Sequence, residues 1–151
     1  MGMTKPFIPN LPCMCASLRR ASRLMSQCYE EALRQVGMRG TQFTILQSLA
    51  LAGEVTQGQL GQMLGMDSTT LTRSLTIMGR EGWIAKRRGD DRREWRMRLS
   101  KKGEAQYKAA LPRWEQVQEK LREELGSRLS DNLMTLTNEV TKTLTERGET
   151  L

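Results

Sequence analysis

The side chains whose chemistry is easiest to interpret lie between residues 67 and 102. One face of a predicted helix carries small hydroxyl groups and a single guanidinium: Ser68, Thr69, Thr70, Thr72, Arg73 and Thr76. Such groups donate hydrogen bonds to phosphate oxygens and to acceptors on base edges. The pattern indicates a surface that can contact a nucleic acid, provided that a rigid element presents it.

Positive charge is concentrated just after this face. Between Lys86 and Lys102 there are nine Lys or Arg residues against three acids, a net +6 of the chain's +7. One basic segment in an otherwise nearly neutral chain is typical of a polyanion-binding surface. The alternative is a solvated β-edge that positive charge protects from aggregation.

Two short helices joined by a tight turn are predicted to precede the basic segment. Thr56 and Gln59 have the spacing of a capping box, and Gly65 can adopt the left-handed conformation that ends the first helix. The buried residues of this first helix are predicted to be Leu60, Met63 and Leu64.

The second helix is predicted to begin after Asp67, whose carboxylate caps the positive N-terminal end. It ends at Gly82, and Gly79 weakens its last turn. Its buried positions follow the helical period: Leu71, Leu75 and Met78. The hydroxyl-rich face is therefore left toward solvent.

A basic β-hairpin is predicted next. Residues 83–88 begin apolar and become basic, and the segment GDDRR at 89–93 has turn composition. Residues 94–99 alternate, with outer Glu94, Arg96 and Arg98 and inner Trp95, Met97 and Leu99. Two helices about a tight turn with such a hairpin predict a winged helix-turn-helix that binds DNA.

Amphipathic helices are predicted on both sides of this unit. An N-terminal helix is predicted from Leu11 to about Val36 with Asn10 as its cap, and Thr41 is predicted to cap a helix over 42–52. The inward side chains of that second helix are predicted to be Phe43, Leu46, Leu49 and Ala50.

After the hairpin, Ser100 is predicted to cap a helix that runs to about Leu125 and is broken or bent near Pro112. Ser130 is predicted to cap the last helix. The fold class is mainly α with a small β-hairpin wing. The chain divides into an N-terminal arm and dimerisation helix (1–36), the winged helix-turn-helix (37–103) and C-terminal dimerisation helices (104–151), as one compact unit.

The terminal helices each carry one apolar stripe, and the last one consists of Leu133, Leu136, Val140 and Leu144. Pairing with a second copy buries such stripes and produces a two-fold dimer. The dimer then presents two recognition helices about 34–36 Å apart, which matches a palindromic DNA site. The alternative is that these helices pack only on their own domain.

Composition excludes several classes of protein. The chain has no histidine, which excludes Ser-His-Asp and Cys-His catalysis and histidine-ligated zinc. It has no nucleotide-binding glycine motif and no apolar run long enough to span a membrane. Residues 1–12 lack the features of a signal peptide, and three cysteines favour a reducing cytoplasm over a disulfide framework. We expect neither an enzyme nor a bound cofactor or metal.

The run from Gln42 to Gly103 resembles the MarR family of bacterial winged-helix regulators. The matching segments are TQFTILQSLA, LGMDSTTLTRSLTIM, EGWI and DDRREWRMRLSKKG. The last segment is the most specific, because it joins an Asp-Arg-Arg wing to an alternating strand and a Leu-Ser-x-x-Gly helix start. The terminal helices fit the family's dimerisation region in length and position.

The resemblance implies roles for individual residues. The recognition helix would enter the major groove with Ser68, Thr69, Thr70, Thr72 and Arg73. Arg92 or Arg93 would reach into the minor groove, and Asp91 would brace the wing by pairing with an arginine, with plain turn chemistry as the alternative. The expected phosphate contacts are Arg87, Arg88, Arg96 and Lys101.

The resemblance also implies an effector. In this family, small phenolic or aromatic acids often bind between the DNA-binding lobe and the dimerisation helices. We expect Arg20, Arg23 and Tyr29 to contribute to such a pocket. The alternative is that the arginines are solvated and the tyrosine packs at the dimer interface.

Thiol chemistry is a second way to sense a signal. Cys13 and Cys15 lie near a predicted helix N-terminus, and the nearby positive charges are those of Lys5, Arg19 and Arg20. One branch of the family senses organic hydroperoxides through a cysteine on its first helix. Cys28 is predicted to be a buried small hydrophobe. A soft-metal site at Cys13, Met14 and Cys15 is the weaker alternative.

The sequence therefore predicts a cytoplasmic, homodimeric DNA-binding regulator, most simply a repressor released by a small aromatic or phenolic ligand. Two alternatives stay open. One is a redox-switched repressor that uses Cys13 or Cys15, and the other is a non-specific architectural DNA-binding protein.

Overall fold

The computed structural model describes residues 7–148. Within that range it contains six helices and three strands. They are α1 (Met14–Arg34), α2 (Gly40–Ala52), β1 (Val55–Thr56), α3 (Gln57–Leu64), α4 (Ser68–Arg80), β2 (Ile84–Arg88), β3 (Trp95–Leu99), α5 (Lys101–Leu125) and α6 (Ser127–Glu146). The predicted fold class, a mainly helical winged helix-turn-helix with flanking helices, is confirmed. The prediction that concerns Lys5 lies outside the described residues.

The core lies where α2, α3, α4 and β3 meet, and it extends to α1 and α5. Its fully buried side chains come from every element of the helix-turn-helix unit, and they include Ile45, Leu46, Leu60, Leu71, Leu75, Met78 and Met97. In α2, Phe43, Leu46 and Leu49 are buried as predicted, whereas Ala50 is exposed and Ile45 takes the inward position. This lobe completes a hydrophobic core within one chain.

The capping box of α3 is present as predicted. The Thr56 N–H donates to Gln59 Oε1 at 2.9 Å, and the Gln59 N–H donates to Thr56 Oγ1 at 3.1 Å. Gly65 ends the helix with a left-handed φ of 60°. The prediction for Met63 is wrong, because this side chain is 50% exposed. A helix of only eight residues turns Leu60 into the core and leaves Met63 beyond its edge.

The wing is a three-stranded sheet rather than a simple hairpin. Its strand order is β1-β3-β2, and both pairings are antiparallel. In β1, Val55 pairs with Met97 and Thr56 with Arg96. A two-residue strand has no alternation to detect, and its partner lies about forty residues away in sequence, so the pattern of residues did not predict it.

Three predicted helix starts are wrong. Helix α1 begins at Met14, and Cys13 rather than Asn10 is its cap, since Cys13 Sγ accepts from the Ala16 N–H. Helix α2 begins at Gly40, before Thr41, and the Arg39 N–H donates to Gln42 Oε1 at 2.9 Å. Helix α6 begins at Ser127, because Gly126 has a φ of 79° and reverses the chain in one residue. Ser130 therefore lies inside α6.

Helix α5 starts and ends at the predicted residues. The Gly103 N–H donates to Ser100 Oγ at 2.9 Å, which is the predicted cap. The helix is continuous through Pro112, so the expected break is wrong. Gly103 lies against β2: a Cβ at this position would overlap the carbonyl oxygen of Trp83. The Leu-Ser-x-x-Gly segment therefore joins the wing to α5 at contact distance.

Helix α6 packs against α5 but buries none of its residues. Its apolar side chains are exposed in the single chain, among them Leu136 at 59% and Val140 at 49%. None of the helices within residues 7–148 is long and apolar enough to cross a membrane.

Candidate nucleic-acid interface

Helix α4 presents the predicted polar face. Leu71, Leu75 and Met78 are at most 1% exposed and fix the helix to the core. The opposite side is open to solvent and carries Ser68, Thr69, Thr70, Thr72, Arg73 and Thr76. A helix that is fixed on one side and polar on the other can be held rigidly against a flat or grooved partner.

Asp67 caps α4 and uses one of the hydroxyls of that face. Its Oδ1 accepts from the Thr70 N–H at 2.9 Å, and its Oδ2 accepts from Thr70 Oγ1 at 2.7 Å. Hydrogen bonding from the Thr70 backbone, and next from its hydroxyl, lowers the pKa of Asp67. The carboxylate therefore stays ionised at the positive end of the helix.

The hydroxyls of α4 divide into held and free groups. Thr72 Oγ1 accepts from Gln57 Nε2 at 2.8 Å, a link from α3 that the sequence did not reveal, and Thr76 Oγ1 donates to the Thr72 carbonyl. Within residues 7–148 the side chains of Ser68, Thr69 and Arg73 have no hydrogen-bond partner. These three are the groups left available to another molecule.

The alternation in β3 holds for two of its three inner positions. Met97 and Leu99 are buried, whereas Trp95 is 40% exposed, so its predicted inward position is wrong. Trp95 pairs with Arg88 across the sheet, and the Arg88 guanidinium carbon lies 4.1 Å from the centroid of the indole ring. Trp95 lies where the sheet extends past the core, and its cation–π contact with Arg88 takes the place of burial.

The wing tip, residues 89–94 between β2 and β3, is a hydrogen-bonded turn. Asp91 Oδ1 accepts from the Arg93 N–H at 2.9 Å, and the Asp91 carbonyl accepts from the Glu94 N–H. Across the described residues Asp91 makes no ion pair with an arginine, so turn chemistry is the interpretation that the structure supports. Arg88 Nη1 donates to the Arg92 carbonyl at 2.6 Å and ties the tip to the sheet.

The tip leaves two guanidinium groups exposed. Arg92 and Arg93 are exposed, and in the part of the chain that the structure describes neither side chain has a hydrogen-bond or ion-pair partner. Lys101 is likewise exposed, at the start of α5. These cations are open to solvent at the tip of the wing and at the start of α5.

The root of the wing contains a carboxylate that the sequence did not reveal as a site. Glu54 Oε2 accepts from Arg87 Nε at 2.9 Å, and Oε1 accepts from Arg87 Nη2 and from Arg96 Nε, the latter at 3.1 Å. The hydrogen bond from Arg87, and to a lesser extent that from Arg96, lowers the pKa of Glu54. The hydrogen bond to Glu54 in turn raises the pKa of Arg87. Arg87 and Arg96, two of the four residues predicted as phosphate contacts, are thus already bound within the chain.

A cleft of about 330 Å³ lies between α1, α2, the α3–α4 turn and α5. Tyr29 lines it together with Phe43 and Trp114, whose rings are stacked with centroids 5.8 Å apart. Burial raises the pKa of Tyr29, and the neighbouring Cys28 raises it further. Among residues 7–148 the only charged residue in the lining is Glu30, whose side chain accepts from the Gly40 N–H at 2.7 Å.

Two residues predicted for the effector pocket lie elsewhere. Arg20 Nη1 donates to the carbonyl of Pro9 at 2.8 Å and fixes the segment before α1. Arg23 is exposed and does not line the cleft. Of the three predicted residues the structure brings only Tyr29 to the cleft, because the part of α1 that lines it begins at Ser26, about one turn beyond Arg23 and nearly two turns beyond Arg20.

The three cysteines are all exposed and free. Cys13 is the cap of α1, and Cys15 lies in its first turn. The predicted burial of Cys28 is wrong; its thiol donates to the Leu24 carbonyl along the outside of α1. Among residues 7–148 no three His, Cys, Asp or Glu side chains form a group that could hold a metal.

Comparison with known proteins agrees with this geometry. The sequence model of the MarR family matches residues 40–95. The crystal structure of an M. tuberculosis transcriptional regulator, MosR, in complex with DNA is 34% identical, with a TM-score of 0.75 over 87% of this chain and 98% of that one. The chain belongs to the MarR family. The resemblance drawn from the segments between Gln42 and Gly103 is confirmed.

Other relatives extend the comparison. A mutant of MarR from E. coli in complex with operator DNA has a TM-score of 0.76 over 84% of this chain and 92% of that one; at 21% identity it supports the fold alone. The regulator YwoH of Bacillus subtilis, described as an HTH-type transcriptional regulator, is 29% identical over 90 residues. That alignment covers 60% of this MarR-family chain and 66% of the relative, just under two thirds of its length.

Proposed function

We propose that this MarR-family protein is a sequence-specific DNA-binding regulator that acts in the cytoplasm as a homodimeric repressor. The observation that carries the proposal is the shared surface of α4 and the wing. Helix α4 presents free hydroxyl and guanidinium groups, and the tip of the basic sheet presents exposed arginines. This surface suits a major groove and the backbone beside it.

The proposed roles follow from which groups are free. Ser68, Thr69 and Arg73 reach base edges or phosphates, while Thr70 and Thr72 are held in place by Asp67 and Gln57 and shape the contact surface. Arg92 or Arg93 enters the minor groove, where narrow A·T-rich segments attract a guanidinium. Arg88 positions the tip through Trp95 and the Arg92 carbonyl. The structure of MosR in complex with DNA supports DNA binding by this chain.

The terminal helices form the dimer in this proposal. In the single chain α6 leaves a stripe of exposed apolar side chains at helical spacing: Leu129, Leu136, Val140 and Leu144. A second copy of the chain would bury this stripe and place two recognition helices on one face. We accordingly assign residues 1–36 and 104–151 to dimerisation and residues 37–103 to DNA binding.

The aromatic cleft is the proposed effector site. It lies between the DNA-binding lobe and the helices assigned to the dimer, and its volume of about 330 Å³ suits a single-ring compound. Since Glu30 lines it and none of the described lysines or arginines does, the ligand that fits best is a neutral phenol rather than an aromatic acid. Release requires that the ligand bind more tightly to a dimer whose recognition helices are wrongly spaced.

Thiol sensing is the second candidate mechanism of release. It is favoured by the exposure of both Cys13 and Cys15 at the start of α1, a helix assigned to the dimer. Loss of DNA affinity with organic hydroperoxide in the wild type, but not in a Cys13→Ser, Cys15→Ser variant, would support it. Equal loss in both proteins would exclude it.

The experiment that tests the proposal is a fluorescence-anisotropy titration at physiological salt. The dimer is titrated against the DNA upstream of its own gene and against a scrambled duplex of equal length. A specific regulator binds the upstream DNA about 10³-fold more tightly or better. Equal affinity for both duplexes would favour the architectural alternative and overturn the proposal.

A single substitution tests the wing in the same assay. Arg92→Ala should weaken binding to the upstream DNA about tenfold while the protein stays dimeric, since the guanidinium has no partner within the described residues. Arg80→Ala, at the exposed end of α4, is the matched control. Unchanged affinity in both Arg92→Ala and Arg93→Ala would remove the wing tip from the interface.

A further inference from the structure

Glu54 lies at the point where two like charges meet in the wing. Arg87 of β2 and Arg96 of β3 are direct cross-strand partners, a placement that is unfavourable for two cations by themselves. Glu54, which immediately precedes β1, bonds to both, and only 24% of its side chain is exposed. The carboxylate thus holds together two guanidinium groups that would otherwise move apart.

The bonds to Glu54 occupy the donors that a guanidinium uses to bind phosphate. Arg87 directs Nε and Nη2 at the two carboxylate oxygens, which is the forked geometry with which arginine also binds a phosphate. Its remaining nitrogen, Nη1, donates to the Arg88 carbonyl at 3.3 Å. Arg96 commits its Nε to the same carboxylate.

The other cations of this surface are in a different state. Arg73 on α4 and Arg92 and Arg93 at the tip have no partner among the described residues. The surface therefore separates free guanidinium groups, at the proposed base and groove contacts, from bound ones at the wing root. Non-specific DNA affinity depends on the number of cations that neutralise phosphates, whatever the base sequence.

We propose that Glu54 is a specificity-determining residue that binds Arg87 and Arg96 and withholds both from the phosphates of DNA of any sequence. This inference rests on the proposed DNA-binding function. It reverses the usual expectation for an acid beside DNA, which is simple repulsion. With Glu54 present, tight binding depends on the free groups of α4 and the wing tip, and non-specific affinity stays low.

The test is the salt dependence of binding to the scrambled duplex. Glu54→Gln keeps the shape of the side chain and releases two arginines. Each additional phosphate neutralised steepens the plot of log affinity against log salt by about 0.9, so the slope should steepen by about 1 to 2. Non-specific affinity should rise by on the order of tenfold at low salt, and the ratio of upstream to scrambled affinity should fall.

Glu94→Gln is the matched control, because it removes the same charge from the same wing and Glu94 makes no ion pair within residues 7–148. Its slope should equal that of the wild type. If Glu54→Gln and Glu94→Gln change the slope equally, Glu54 acts only through its net charge and the inference is wrong. Thermal unfolding followed by circular dichroism checks that both variants are folded.

Arg87→Ala provides an independent test that leaves Glu54 in place. Its slope should match the wild type, since Arg87 is not on a phosphate; a slope shallower by about 0.9 would overturn the inference. Adding Arg87→Ala to Glu54→Gln should remove about half of the gain in slope. If the wild type binds both duplexes equally, the proposed function fails, while these slopes still decide the role of Glu54.

Discussion

Helices α4 and α6 carry the same kind of apolar stripe and use it differently. In α4 the stripe of Leu71, Leu75 and Met78 is buried within one chain, whereas α6 has no buried residue at all. The difference shows that the hydrophobic core of the winged helix-turn-helix, with contributions from α1 and α5, is closed within one chain. The last helix, by contrast, carries apolar surface that the rest of residues 7–148 leaves uncovered, and we propose that a second copy covers it.

The largest effect is expected in the completed core. Leu75→Ala should lower the free energy of unfolding by about 2–5 kcal/mol, because it leaves a cavity at a position with no exposed surface. Urea denaturation measures the change. Leu51→Ala, on the exposed side of α2, is the control and should change little. An equally small change at Leu75 would mean that the lobe is not packed as described.

The next effect is expected where the lobe meets α5. Gly103→Ala should destabilise the protein by about 1–3 kcal/mol, since the new Cβ overlaps the Trp83 carbonyl. The backbone has little room to move, because the Ser100 N–H donates to that same carbonyl. Gly79→Ala, where no atom lies within 4 Å, should instead stabilise by about 0.5–1 kcal/mol. If both substitutions changed the free energy of unfolding in the same direction, the close contact between Gly103 and Trp83 would be contradicted.

The apolar stripe of α6 gives a smaller and different effect. Leu136→Glu should weaken the dimer about tenfold or more, since it places a charge in the proposed interface. Sedimentation equilibrium measures the dissociation constant. Asn138→Glu, on the opposite face of α6, should leave that constant unchanged. If both variants sediment as the wild type does, the stripe is not the dimer interface.

The smallest effect concerns the cap of α4. The pKa of Asp67 is lowered from 3.8 by the Thr70 hydrogen bonds, so its contribution to stability is complete above that pH and is lost as pH falls through the lowered pKa. Asp67→Asn should keep the cap at neutral pH and remove this part of the acid sensitivity. Urea titrations between about pH 5 and pH 2 measure it. Identical pH dependence in both proteins would contradict the assignment.

Three of the six predicted helix caps are present, because both partners of each lie within one turn of helix, whereas those at Asn10, Thr41 and Ser130 are wrong. The three that are present are the box of Thr56 and Gln59 and the caps at Asp67 and Ser100. The buried stripe of α4 followed from its period for the same reason. The orientation of the polar face of α4 is therefore a consequence of local sequence alone.

Interactions between distant segments were not predictable in this way. Glu54 is 33 residues from Arg87 and 42 from Arg96, and as a single acid after Gly53 it belongs to no motif. Strand β1 is too short to show a period, and Trp95 was assigned inward by alternation although the sheet extends past the core there. Arg20 and Arg23 were assigned to a pocket by their charge alone, without regard to where they lie along α1.

Hydroxyl-radical footprinting on the upstream DNA tests most directly whether the protein is a specific dimeric regulator. A paired footprint requires both DNA contacts from α4 and the wing and dimerisation through the terminal helices. We predict two symmetric protected half-sites, whose centres lie about 10–10.5 base pairs or a multiple of this apart. Protection of the minor groove by the wing tips should flank the two half-sites. Leu136→Glu should lose the paired pattern. Uniform protection along the duplex, unchanged on a scrambled sequence, would contradict a specific dimeric regulator.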